Sequence, residues 1–175
     1  MGGYSSEVNI SLKSGEVVYS HLNNDTYNAY RIHILRDKWV GLNADGEEFH
    51  VNRHDFTVDF GEGPVNFDCV FNAIHGSPGE DGYMQAYFEL LGIPQTSCNH
   101  YQAALTFNKR DLLSVLQPYG VKCARSYHLN KGDELDSVAI LEKVGLPCFV
   151  KANRAGSSFG VFKVYQERDL EATIE

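Results

Sequence analysis

The stretch VFNAIHGSPGEDG, residues 70–82, constrains the fold most: an apolar run breaks into a loop with three glycines, a proline, a histidine and two acids. Glycine at Gly76, Gly79 and Gly82 frees the backbone for positive φ and close approach, and Pro78 stiffens the turn. A strand that ends this abruptly builds either a ligand site or an ordinary strand-to-helix connection, so the loop must be weighed against the rest of the chain. FDCVFNAI, residues 67–74, is nearly all apolar and predicts a strand buried on both faces of a parallel sheet.

On both sides of that loop the period of the sequence changes. SSEVNISLKSGEVVYSHLN carries Val8, Leu12, Val17 and Leu22 at helical spacing behind a Ser/Ser/Glu cap signal, so a helix follows the glycine pair Gly2-Gly3. YNAYRIHIL alternates, KWVGL reads as a short strand, and Asp45-Gly46 marks a hairpin turn. YMQAYFELLG predicts a helix stopped by Gly92, and IPQTSC a short extended piece. HYQAALTFNKRDLLSVLQPYG predicts one longer helix closed by Pro118 and Gly120. VKCARSYHLN is strand-like, and DELDSVAILEKVG is helical up to Gly145. LPCFVKAN and VFKVY are strands around the turn RAGSSFG, and ERDLEATIE starts a helix. Strands alternate with helices to about residue 117 and then give way to strand, helix and hairpin, which predicts a second unit. The glycine pair has no strand before it and the final helix has no cap, so the chain reads as part of a longer protein.

Composition narrows the partners. With 15 basic against 23 acidic residues the net charge is -8, which argues against a surface that neutralises nucleic-acid phosphates. No apolar run approaches the roughly 18 residues of a membrane span, and no signal-peptide pattern opens the chain, so a cytoplasmic protein is expected. Cys69, Cys98, Cys123 and Cys148 lack CxxC spacing, and buried free thiols are expected.

Four stretches carry candidate chemistry. GGYSSE opens a helix whose first N–H groups are free, and Glu7 there would hold a substrate ammonium or complement the helix dipole. In the 70–82 loop, His75 would orient a carboxylate, while Glu80 and Asp81 would cap the next helix; as metal ligands, these three match no standard spacing. LTFNKRDLL places Lys109 within a helix. PCFVKANRAGSSFGVFKV ends an apolar strand on Lys151, a position that calls for an anion, and then presents Gly156, Ser157, Ser158 and Gly160 as a phosphate cradle without the spacing of a Walker loop.

In order and approximate spacing, GGYSSEVNISLKSG, HGSPGEDGYMQAYFELLGIP, LTFNK and GLPCFVKANRAGSSFGVFKV resemble the D-alanine–D-alanine ligases of the ATP-grasp superfamily over essentially the whole chain. The resemblance implies an α/β fold: a three-layer domain with a parallel sheet over residues 1–115, its first strand missing, then the start of an ATP-grasp α+β region over 116–175. It implies ATP-dependent joining of two D-alanines through an acyl phosphate, for peptidoglycan precursors. By motif, Glu7 matches the glutamate on the ammonium of the first D-alanine and His75 the histidine near its carboxylate. Lys109 and Lys151 match the lysines on the ATP phosphates, and Ser157, with Ser158 beside it, lies in the loop over them. Mg2+ ligands are expected beyond residue 175, so the piece alone is expected to be inactive, and a homodimer is expected of the whole protein. Ala152 and Ala155 stand where the family usually has proline and an acid or glycine. Glu7 and Lys151 are expected to face one crevice. The alternatives are a ligase taking D-lactate or D-serine second, a non-catalytic nucleotide-binding module, and a generic flavodoxin-like domain.

Overall fold

The computed structural model describes residues 1–156 and 160–174. The chain divides into two compact units, Met1–Thr106 and Phe107–Glu175. Both mix helices with strands, in keeping with the α/β class.

In the first unit, β1 (Gly2–Gly3) runs parallel to β2 (Arg31–Leu35), pairing Gly2 with Ile34 and Gly3 with Leu35. The pairing requires glycine. Both residues have φ near +110°, and a Cβ on Gly2 would sit 2.6 Å from the Ile34 carbonyl oxygen. β3 (Trp39–Leu42), β4 (Glu48–Asn52), β5 (Thr57–Asp59) and β6 (Pro64–Val65) continue the sheet as an antiparallel meander. The expected Asp45-Gly46 turn joins β3 to β4, and the Asn43 side-chain oxygen accepts from the Asp45 and Glu47 amides.

The first core gathers Ile34, Val51, Phe56, Val58 and Ile74 from the sheet side with Met84 and Phe88 from α2 (Tyr83–Leu91). Phe56 and Phe88 meet edge to face at 4.9 Å, and Trp39, Phe67 and Tyr87 close around them. Gly92 ends α2 as expected.

The segment 67–74 is not the strand buried on both faces that its apolar run predicts. It forms one isolated parallel bridge, Val70 with Gln95, while Cys69 and Phe71 are exposed. Its inner side lines an apolar cavity of about 440 Å3 with Val18, Tyr19, Ile32 and Phe88. A run of apolar residues reports burial only when sheet neighbours pair with it on both sides; here a single bridge does so among the described residues.

Helix α1 (Val8–His21) forms where predicted but packs through a different face. Its buried residues are Ser11 and Gly15, and Val17 is exposed. A Cβ on Gly15 would lie 2.6 Å from the Met1 side chain, so small residues let α1 approach β1 closely in place of an aliphatic stripe.

The single helix expected over 100–120 is two, α3 (His100–Phe107) and α4 (Lys109–Leu116). Asn108 between them adopts an extended backbone, and its side chain accepts from the Asp111 amide, a local bond that competes with helix continuation. Residues 121–130, expected as a strand, form no ladder among the described residues and are mostly exposed.

The second unit contains α4 and α5 (Ser137–Val144), capped at its start by the Asp136 side chain. It also holds the antiparallel hairpin β7 (Cys148–Lys151) and β8 (Val161–Val164), and α6 (Leu170–Ile174). Ile140, Cys148, Val164 and Leu170 form its core. All four cysteines are free, but only Cys148 is buried; Cys69 and Cys98 are exposed because the runs holding them do not become interior strands. Among the described residues no helix is long and apolar enough to cross a membrane.

Phe88→Ala should destabilise the first unit by about 3–5 kcal/mol, whereas Leu90→Ala, at an 88% exposed position, should change it by less than about 0.5 kcal/mol; urea unfolding followed by the fluorescence of the single tryptophan, Trp39, measures both. At the surface, His100 donates to Glu89 through its backbone amide at 2.8 Å and pairs with it through Nδ1 at 2.6 Å, which holds the Glu89 carboxyl below its ordinary 4.5. The folded chain therefore releases this proton more readily than the unfolded one, so the contribution is complete above pH 4.5 and is lost as pH falls through the lower folded value. NMR titration of the Glu89 carboxyl carbon should give a midpoint below 4.5 that moves up in His100→Ala.

Candidate functional site

The first unit stitches the Gly2–Glu7 segment to the 72–80 loop by main-chain and hydroxyl bonds. Ser11 Oγ accepts from the Gly2 amide at 2.9 Å and donates to the Ala73 carbonyl at 2.8 Å. The Tyr4 amide donates to the Ser77 carbonyl at 2.7 Å. Ser5 Oγ donates to the His75 carbonyl at 3.0 Å and accepts from the Glu7 amide at 3.1 Å. Ser5 thus links the two candidate residues through the backbone, a use of the Ser5/Ser6 pair beyond helix capping.

Glu7 is 3% exposed, and its Oε1 has no hydrogen-bond partner among the described residues. It occupies the N-cap position of α1 without making a side-chain cap bond, so the helix does not use this carboxylate. Gly76, at φ +72°, is the close neighbour: a Cβ there would lie 2.6 Å from Ser5 Oγ and 3.2 Å from Glu7 Oε2. Only glycine lets the His75 turn lie against the carboxylate. A buried acceptor left open is strongly unfavourable unless a donor arrives, and a cationic donor offsets most of that cost.

His75 is half-buried, and its Nε2 lies 3.1 Å from Ser14 Oγ on α1, which sets the ring's orientation. Glu80 does not cap α2. Its Oε2 accepts from the Gly76 amide at 2.6 Å and braces the turn, while the N-cap position is Gly82 with no side-chain bond. Asp81 Oδ1 is buried with no hydrogen-bond partner among the described residues. The structure therefore brings the Glu7 carboxylate against Gly76, the residue that follows His75.

The second unit holds the other candidates. Lys151 ends β7 opposite Val161, and the Ala152 amide bonds the Gly160 carbonyl at 2.9 Å to close the turn. Lys151 is exposed and is not buried at a strand end; its Nζ lies 5.3 Å from the Phe149 ring centroid. Lys163, across from Phe149, sits 4.7 Å from the Tyr165 ring. One face of the hairpin therefore carries two cations and two aromatic rings, a combination suited to a flat base and its phosphates. Lys109 begins α4, and its Nζ donates to the Ala155 carbonyl at 2.5 Å. Asn153 binds the same helix start, donating to Asn108 Oδ1 at 2.8 Å and accepting from the Arg110 amide at 2.9 Å. Ser157 and Ser158 lie outside the described residues.

Sequence reasoning named neither Ser14 nor Lys163 as a site residue. The signals were present: Ser14 lies two turns after Glu7 on α1, and Lys163 is two positions from Val161 on one face of a strand. It also passed over Asn108, although Asn-x-x-Asp before an apolar run is a helix-start signature.

Two family models match the chain, the D-ala D-ala ligase N-terminus over residues 1–98 and the D-ala D-ala ligase C-terminus over 115–175. A D-alanine–D-alanine ligase of Flavobacterium johnsoniae is 63% identical over 175 residues, all of this chain and 54% of that protein, so the chain spans about half the length of the curated relatives it matches. A crystal structure of a D-Ala:D-Ser ligase from Enterococcus faecalis superposes with a TM-score of 0.80 at 28% identity over 99% of this chain and 56% of that one. The D-alanine–D-alanine ligase from Bacillus anthracis complexed with ATP gives 0.72 at 25% identity over 99% of this chain and 52% of that one.

The Asn108 cap is the most testable element of the second unit. Asn108→Ala should weaken the start of α4 by about 1–2 kcal/mol, read as faster hydrogen exchange at the Asp111 and Leu112 amides, with the exchange of β4 and β5 amides unchanged. The family models leave only residues 99–114 unmatched, and on that ground the chain belongs to the D-alanine–D-alanine ligase family.

Proposed function

We propose that this chain is the N-terminal and central portion of an enzyme that uses ATP to join two D-alanines, for peptidoglycan precursor synthesis. The observation that carries the reading is the buried Glu7 carboxylate, whose open Oε1 lies beside the Gly76 turn that bears His75. An α-amino acid offers an ammonium to the first and a carboxylate to the second, and the rigid turn fixes the distance between them.

In this reading Glu7 accepts from the substrate ammonium, and His75, held by Ser14, donates to the carboxylate. Lys109 and Lys151 attract the phosphates, Ser157 and Ser158 cover them, and Lys163 adds charge on the same hairpin face as Lys151. ATP supplies the phosphoryl group that converts a carboxylate, a poor electrophile, into an acyl phosphate open to attack by the second amine. The positioned cations favour the charge that develops on the transferring oxygens. This reading puts the Mg2+ ligands beyond residue 175. The same reading assigns residues 1–115 to the N-terminal ligase domain and 116–175 to the first part of the ATP-grasp domain, and makes the whole protein a cytoplasmic homodimer and the piece alone inactive. A ligase adding D-serine as the second residue is a second reading, supported by the Enterococcus faecalis relative; mass analysis of products from mixed substrates separates the two.

In the full-length ligase carrying this segment, Glu7→Ala should raise the KM for D-alanine by roughly ten- to a hundredfold, the loss of about 1.5–3 kcal/mol for a charged hydrogen bond. The KM for ATP should stay within a factor of two. Lys151→Ala should do the reverse, and a reversed pattern would overturn the assignment.

A further inference from the structure

Gln85 and Asn72 take no part in the chemistry above, yet both are fastened to one atom of the loop that carries His75. Gln85 is 1% exposed, and from the first turn of α2 its Nε2 donates to the Gly79 carbonyl at 2.5 Å. Asn72 Nδ2 donates to the same carbonyl at 2.7 Å from the other side of the loop, and to Ser97 Oγ at 3.1 Å. Asn72 Oδ1 accepts from the Ile74 amide at 3.0 Å, so the residue just before His75 is held by the same side chain.

Between these anchors the turn has no slack. The Gly79 and Glu80 amides both donate to the Gly76 carbonyl at 2.9 Å. Gly79 lies so close to Ile74 that a Cβ would come within 2.4 Å of the Ile74 Cβ. His75 is therefore suspended between Ile74, fixed through Asn72, and Gly76, fixed through residues 79 and 80. The loop borders a cavity of about 320 Å3 lined in part by His75, Glu80, Gln85 and Ser97. Gln85 leaves its own Oε1 buried and unpaired among the described residues, a loss that a methionine or leucine of similar size would avoid. The side chain is thus present for its donor and not to fill space.

We propose that Gln85 and Asn72 are positioning residues for the amino-acid site: by gripping the Gly79 carbonyl from two sides they set the turn that presents the His75 imidazole to the substrate carboxylate. This rests on the assignment of His75 to that carboxylate. The side-chain donors of both are spent on the loop backbone, so their loss is felt as misplacement of the histidine.

The test uses Gln85→Met, which removes the donor and keeps the length, and Asn72→Ser, which removes the second donor and serves if the first variant does not fold. In the 175-residue chain, hydrogen exchange at the Gly79 and Glu80 amides should accelerate at least tenfold, with exchange at Val58 in the core unchanged. In the full-length ligase the KM for D-alanine should rise at least fivefold, with kcat and the KM for ATP within twofold. Parental exchange and parental KM overturn the proposal, and so does a parallel fall in kcat and both KM-dependent rates, the mark of a merely structural role. His75→Ala, measured beside them, separates the two levels: a normal KM for D-alanine there overturns the substrate assignment. A raised KM in His75→Ala with a normal one in Gln85→Met overturns the clamp alone.

Discussion

The bond that the first unit depends on is the pair made by Ser11 Oγ, fully buried between the Gly2 amide and the Ala73 carbonyl. With one hydroxyl, α1 satisfies a donor on β1 and an acceptor on the segment that leads to His75. Without it, two backbone groups in the interior would lack partners, a penalty of about 1–3 kcal/mol for each. Because the bond is short and shared, α1 must lie close to β1. This explains why Gly15 faces Met1 one turn later and why the helix's valines are left nearer the surface. Serine and glycine on the inner face of a helix are usually read as weakness, but here they set the distance at which Glu7 enters the interior.

From that stitch the loop inherits its rigidity. Ser5 holds the His75 carbonyl, Glu80 the Gly76 amide, and Asn72 and Gln85 together the Gly79 carbonyl, so both ends of the turn have side chains holding them. A loop satisfied in this way keeps its polar groups out of competition with a ligand. The carboxylate of Glu7 is the contrasting case: it is buried, makes no cap bond and leaves an oxygen open. Among the described residues the surroundings spend their hydrogen bonds on one another and none on that atom.

How much of this was legible in the sequence depends on whether the deciding force is local. The Asp45-Gly46 turn and the helix stops at Gly92 and Gly145 were readable because a single residue's backbone preference or side-chain bond decides each. The break at Asn108 was local too and was passed over, since helical periodicity runs through it on both sides. The segment 67–74 predicts a buried strand only because composition reports hydrophobicity and says nothing about which neighbours pair with it. Residues 121–130 show the same limit from the polar side: alternation predicts a strand only where an edge exists to receive it. At the site, Glu7 and His75 were visible as chemistry-bearing types beside glycines, whereas Ser14, Gln85 and Asn72 acquire meaning only from contacts many residues away in the chain.

At Lys151 the structure replaces the force that the sequence suggests. A cation at the end of an apolar strand is costly if buried, and that cost calls for an anion. In the folded unit the side chain is exposed, so no such penalty exists. What distinguishes the position is its pairing. In the antiparallel register Phe149 faces Lys163, while Lys151 lies two residues along on the same face, and each ammonium sits 4.7–5.7 Å from an aromatic centroid. Rings that stack with cations hold them near the surface with little loss of hydration, at roughly 0.5–1 kcal/mol for each exposed contact. The two charges are thereby kept from spreading apart despite their repulsion. A hairpin face built this way presents concentrated positive potential without buried charge, which an anionic ligand meets as an attraction that no desolvation of the lysines has to precede.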